Sequence, residues 1–279
     1  MKDGKWWDYS WNVAPGCMPV SAECDHCWAV VMAKRLQGMN KAGYEGLVDG
    51  RGQWTGRVNL IPGRMKNPLE LRRPRVVAVN LMGDLFHESV PDWFLRSVFE
   101  VMARAERHTF MVLTKRPERV VEFLRTEVRR PMSNVWMGTT AGTQRSANER
   151  WNAMAWIAQA GWNTWVSSEP RLEAIDWHGW AFLKWMVTGG ESGPQARPMA
   201  PSWARGDRDW CRDHGVAFWF KQWGEWGPNA KDEGGKMKDE SQYLGHVFRR
   251  PLLWDEMVFQ FGRRLAGRVL DGKIHEERP

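Results

Sequence analysis

Short apolar runs that end in polar or glycine residues recur along the chain: RVVAVNLM (75–82), HTFMVLT (108–114), NVWMGTT (134–140), NTWVSS (163–168), LKWMVTGG (183–190) and VAFWFKQ (216–222). Their length and their β-branched and aromatic content predict strands. Between them lie segments of helical character at 91–106, 116–128, 146–160 and 201–215. In PDWFLRSVFEVMARAE the apolar residues Trp93, Phe94, Val98, Val101 and Met102 recur at helical spacing, which predicts an amphipathic helix laid on a sheet. Strand and helix in alternation imply parallel strands joined by right-handed crossovers. The predicted fold is therefore α/β, a partial or complete (β/α) TIM-like barrel.

The polar residues sharpen that picture. Each run stays apolar until its C-terminal end, where Asp84, then Thr114 with Lys115 and Arg116, then Thr139 with Thr140 are found. The later runs end in Ser168 with Glu169, in Gly189-Gly190-Glu191-Ser192, and in Lys221 with Gln222. Capping of the following helices accounts for some of these residues singly. Six such ends together match the functional face of a barrel, where side chains from many strands converge. Residues 36–70, rich in Gly, Lys and Arg, are expected to form a loop or small insertion. Residues 224–279 begin polar and glycine-rich, so the expected organisation is a barrel domain over 1–223 and an irregular extension over 224–279 packed on it.

Composition narrows the classes. A chain of 279 residues that is 43% hydrophobic and 26% charged can bury one large core, which excludes disordered and fibrous types. No uninterrupted apolar run approaches membrane-spanning length, and the start MKDGKWWDYSWN lacks a signal-peptide pattern, so the expected location is cytoplasmic with no membrane partner. The net charge of +7 suits a polyanion such as nucleic acid, although it is spread over many segments. Twenty tryptophans are suited to core packing or to stacking on bases, and those in the WVS, WMV and FWF strands are expected in the core.

The chemistry lies in CMPVSAECDHC, which sets Cys17, Cys24 and Cys27 in a C-x6-C-x2-C pattern. In a reducing compartment this is a ligand set rather than a disulphide framework. Cys211, alone in the predicted helix at 201–215, reads as a buried structural thiol. Three thiolates can hold a cubane iron-sulphur cluster and leave one iron open. The alternative is a zinc site completed by His26. His26 lies inside the tight turn between Cys24 and Cys27, a poor position for a fourth ligand, which favours the cluster. The GGESG run at 189–193 gives a turn whose backbone amides could approach a ligand closely.

A cysteine triplet ahead of repeated β/α units with polar strand ends resembles the radical S-adenosylmethionine (SAM) superfamily. More narrowly, WNVAPGCMPVSAECDHCWA, NLMGDLFHESVPDWF, HTFMVLTKRPER, GGESGPQARPM, FWFKQWGEW and AGRVLDG look like the phage-encoded three-cysteine family formerly of unknown function; the likeness runs from about Trp11 to Gly272. The chain departs from the commonest superfamily spacing, C-x3-C-x2-C, and carries His26 where an aromatic residue usually precedes the last cysteine.

The resemblance implies a 4Fe-4S cluster on Cys17, Cys24 and Cys27, SAM bound at its open iron, and cleavage of SAM to a 5'-deoxyadenosyl radical. It further implies that Asp84 meets the SAM amino group. Thr139 and Thr140, or Ser168 and Glu169, would meet the ribose hydroxyls or the methionine carboxylate, with Gly189 and Gly190 lining the cofactor. Lys115, Glu191 and Lys221 are the candidate catalytic residues, and Lys115, Arg116, Lys221 and Gln222 the basic groups for an anionic substrate. The implied activity is modification or isomerisation of a nucleobase, such as a hypermodified thymidine in phage DNA. A flavodoxin- or ferredoxin-type reductant is implied, and the host cytoplasm if the gene is a phage's. Two other readings stand beside this one: a radical SAM enzyme of peptides or small metabolites, and a noncatalytic zinc-stabilised nucleic-acid-binding protein.

Overall fold

The computed structural model describes residues 4–128, 130–228, 249–253, 256–260 and 262–278. In chain order the elements are β1 (Tyr9–Ser10), α1 (Trp28–Gly38), α2 (Asn67–Glu70), β2 (Val76–Val79), α3 (Asp92–Arg104), β3 (Thr109–Thr114), α4 (Pro117–Thr126), β4 (Val135–Thr140), α5 (Gln144–Gln159) and β5 (Asn163–Ser168). There follow β6 (Trp185–Gly189), α6 (Pro201–His214), β7 (Ala217–Gln222), β8 (Trp226–Gly227), β9 (Arg249–Leu253), β10 (Glu256–Gln260) and α7 (Arg263–Ala266). Strands β1 to β7 form a sheet in chain order, the α/β arrangement of a partial (β/α) barrel. Among the described residues no helix is long and apolar enough to cross a membrane.

Every predicted strand and helix is present, and β5 matches its predicted bounds. β2 is shorter than the apolar run 75–82, because from Asn80 onward the chain bonds to the N-terminal segment instead of extending the ladder. Asn80 Nδ2 donates to the Ala14 carbonyl at 2.6 Å, and the Met82 amide donates to Asn12 Oδ1 at 3.0 Å. Helix α1 carries no predicted counterpart. Its sequence WAVVMAKRLQG buries Ala29 and Ala33 while Trp28, Val31 and Met32 are exposed alongside Lys34 and Arg35, so its outward face mixes apolar and basic residues and marks the period weakly. Much of the expected extension, at 229–248, 254–255, 261 and 279, lies outside the described residues.

The chain divides into two compact units. The first holds residues 6–140 and 149–165. Here β1, β2, β3 and β4 pair in parallel, with Tyr9 beside Val77, Val77 beside Phe110 and Phe110 beside Val135. Helix α3 buries Phe94, Leu95, Val98, Phe99, Val101 and Met102, whereas Trp93, expected on that face, is 53% exposed. Phe99 packs on Phe123 and Phe86, an aromatic set in edge and tilted contacts. Each such fully buried side chain contributes roughly 1.5–3 kcal/mol by leaving water. Trp165 packs its ring against Gly138 of β4 and donates its indole N–H to the Val112 carbonyl at 3.2 Å. Only a glycine at 138 leaves room for that ring.

The second unit holds residues 1–5, 141–148 and 166–279. Its β6 and β7 are parallel, and β8, β10 and β9 form a small antiparallel sheet. Cys211 of α6 is fully buried, 3.6 Å from Met186 Sδ, and burial raises its pKa far above that of a free thiol. Trp180 and Trp219 here, like Trp6, Trp11 and Trp165 in the first unit, are among the largest fully buried side chains.

Gly138→Ala drives a methyl group into the Trp165 indole. Denaturant unfolding of this variant is expected to show a loss of about 1–3 kcal/mol against wild type, the range for an overpacked core.

Candidate functional site

The first unit carries the cysteines at the C-terminal ends of its parallel strands. After β1 the chain runs on beside β2: the Trp11 amide bonds the Ala78 carbonyl at 2.9 Å, and the Gly16 amide bonds the Met82 carbonyl at 3.0 Å. Gly16 and Gly83 then bridge directly. A Cβ at Gly83 would overlap the carbonyls of Ala14 and Gly16, and Gly16, at φ 110°, would overlap Arg57. Two glycines are thus needed for the close approach that sets Cys17 beside Asp84.

Asp84 is buried and accepts four hydrogen bonds. Its Oδ1 takes Thr114 Oγ1 at 2.6 Å and the Phe86 amide at 3.0 Å; its Oδ2 takes the Lys115 amide at 3.1 Å and Arg116 Nη1 at 2.9 Å. Those donors occupy about all the acceptor positions of a carboxylate. Arg116, held by this ion pair, reaches the cysteine loop and donates to the Met18 carbonyl at 3.1 Å. The Cys17 thiol is pushed up to about 11, by burial first and by the Asp84 charge second, against the opposing cations Arg116 and Lys115. Lys115 therefore stands near Cys17, although its backbone amide is spent on Asp84.

Between Cys17 and Cys24 the loop folds into a short 3-10 turn, Ala22–Cys24. Glu23 in that turn is buried with its Oε1 3.5 Å from Arg150, which also donates to Ser21 Oγ at 3.0 Å and to the Thr140 carbonyl. Cys27 is the N-cap of α1, so the last two cysteines border the positive end of an eleven-residue helix. Thr139 and Thr140 are both buried at the end of β4, and Thr139 Oγ1 donates to the Thr114 carbonyl at 2.9 Å. Cys17, Cys24, Cys27, Asp84, Lys115, Thr139 and Thr140 thus all belong to one unit.

The remaining candidates belong to the second unit. Glu169 pairs with Lys221 at 2.9 Å and accepts from Ser167 Oγ at 3.1 Å. Ser168 is fully buried, and its hydroxyl has no hydrogen-bond partner. Gly189 leaves space for the Glu169 carboxylate, while Gly190 permits close passage of Trp223 and Gly224. The Gly190 amide is bonded to the Gln222 carbonyl at 2.9 Å, and the Gln222 side chain donates to Ser192 at 2.9 Å. Glu191 is buried against Arg197, which grips both of its oxygens through Nε at 2.9 Å and Nη2 at 2.6 Å.

Ser21, Glu23 and Arg150 were not foreseen from the sequence. Arg150 sits in a polar stretch, SANER, that reads as a solvated helix face, and nothing local shows that it is buried against residues more than a hundred positions away.

Three thiols on one short loop, partly buried and beside a helix N-terminus, suit iron-sulphur ligation by the chemistry of the donor set. Among the described residues no three His, Cys, Asp or Glu side chains converge closely enough to hold a single metal ion.

A family model described as "Protein of unknown function (DUF5131)" matches residues 3–279. No curated protein matches the chain. Solved structures similar to it include a spore photoproduct lyase variant with bound AdoMet and dinucleoside spore photoproduct, at 10% identity and a TM-score of 0.47, covering 91% of this chain and 68% of that one. Another is spore photoproduct lyase complexed with dinucleoside spore photoproduct, at 9% identity and a TM-score of 0.43, covering 93% and 70%.

Gly83→Ala is expected to prise the Cys17 segment from β2. Maleimide labelling followed by peptide mapping should show Cys17 modified several-fold faster than in wild type, with Cys211 unlabelled in both.

Proposed function

We propose that this chain, which belongs to the DUF5131 family, is a radical SAM iron-sulphur enzyme that modifies or isomerises a nucleobase, with a hypermodified thymidine of phage DNA as its specific target. The observation that carries the reading is the placement of Cys17, Cys24 and Cys27 on one loop, joined through Gly16 and Gly83 to the C-terminal end of β2. Bound there, a 4Fe-4S cluster with SAM supplies one-electron cleavage of a sulphonium bond.

The chain's own residues do the orienting. Asp84, saturated by its four donors, is a positioning carboxylate: it fixes the end of β3 and aims Arg116 at the cysteine loop. Thr139 and Thr140 present the end of β4 for the cofactor's polar groups; in the second unit, Ser168 keeps a buried hydroxyl without a hydrogen-bond partner. Lys115, whose backbone amide alone bonds Asp84, is the cation of the first unit that we assign to an anionic substrate; Lys221 of the second unit is held by Glu169. A basic chain of +7 is suited to a phosphate-bearing partner, and the electron is expected from a flavodoxin- or ferredoxin-type protein.

Anaerobic reconstitution with iron and sulphide tests this. Wild type and Cys211→Ala are expected to turn brown with about four irons per chain and to release 5'-deoxyadenosine from SAM under reductant. Cys17→Ala, Cys24→Ala and Cys27→Ala are each expected to lose both properties. Colourless wild-type protein holding zinc would overturn the enzyme reading, and unchanged nucleosides by mass spectrometry after incubation with phage-type modified DNA would overturn the substrate.

A further inference from the structure

We infer that Arg150, together with Arg116, is a positioning residue that fastens the six residues between Cys17 and Cys24 to the ends of the strands, and so sets where the three thiols stand. The inference rests on the iron-sulphur reading above and concerns how the protein shapes that site.

Arg150 is 4% exposed and Glu23 is 4% exposed, and side chains of this kind are buried only with partners. Arg150 meets Glu23 Oε1 at 3.5 Å, Ser21 Oγ at 3.0 Å and the Thr140 carbonyl. Thr140 is the last residue of β4, so a single guanidinium ties the middle of the cysteine loop to the sheet. The planar fork of an arginine can meet several acceptors in one geometry, which a lysine's point charge does not reproduce. Arg116 makes the equivalent tie at the loop's start, where it donates to the Met18 carbonyl at 3.1 Å while Asp84 holds it at 2.9 Å.

Ordering six residues costs conformational entropy at each one. Two charged, hydrogen-bonded anchors offset that cost, which gives a physical use to a first spacing longer than three residues. In this reading the residues Met18 to Glu23 are a strap with two fastenings, and Cys24 and Cys27 follow from the second fastening directly into α1.

Hydrogen exchange on the full-length metal-free chain, paired with chelator challenge of the reconstituted protein, tests the inference. In Arg150→Lys the amides of Cys24, Asp25 and Cys27 are expected to exchange about tenfold faster than in wild type, the loss expected of a charged hydrogen bond, while β3 and β4 keep their protection. The reconstituted variant is expected to lose iron to the chelator faster by a similar factor. Unchanged exchange at those three amides, with unchanged iron retention, overturns the inference. If Arg150→Lys also loses protection in β3 and β4, Glu23→Gln, which keeps the side-chain size, is judged by the same outcomes. Wild-type protein that takes up no iron sinks the iron-sulphur reading, and the exchange data then decide the fastening by themselves.

Discussion

Four donors converge on the carboxylate of Asp84, and the geometry of the first unit's strand ends depends on that convergence. The carboxylate closes the turn after β2 through the Phe86 amide, fixes the end of β3 through Thr114 and the Lys115 amide, and orients Arg116. A buried carboxylate without such partners would cost several kcal/mol, so the donors must stay in place together. Arg116 then acts at a distance from the strand ends, reaching a carbonyl on the cysteine loop. The cysteines are therefore located by a chain of polar contacts that starts at the end of β2, and by the Gly16 to Gly83 contact beside it.

The fold was largely legible in the sequence because its strands and layer helices obey simple periods. VVAV, TFMVLT and NTWVSS are apolar, β-rich and bounded by polar residues, and the α3 sequence alternates at helical spacing, so local pattern and tertiary burial agree. Where they disagree, the pattern misled. Leu81 and Met82 are apolar without being strand, since their segment bonds to Asn12 and Gly16. Trp93 is apolar without being buried. Helix α1 was hidden because its outward face sets Trp28, Val31 and Met32 among Lys34 and Arg35.

The candidate site was legible in part. The cysteine spacing and the polar strand ends are visible in the chain as written, and the structure gathers Cys17, Asp84, Lys115 and Arg116 in one place. What the sequence withheld is the state of each group. Asp84 reads as an available carboxylate and is saturated; Glu191 reads as a candidate catalytic carboxylate and is gripped by Arg197; Gly190 reads as room for a ligand and is room for Trp223 and Gly224. The Arg150 to Glu23 pair, more than a hundred residues apart along the chain, has no local signature. Partnering is a property of three-dimensional neighbours, and one sequence carries no record of it.

Cys27 is the residue at which the loop becomes helix, with Ala29 and Ala33 seating α1 on the core behind it. The peptide N–H groups of that first turn, the positive end of the helix dipole, therefore begin at a cysteine. That partial charge is built from main chain, so exchanging side chains along α1 leaves it in place for as long as the helix persists. Part of the electrical setting of this corner of the molecule is in that sense a consequence of where a helix begins.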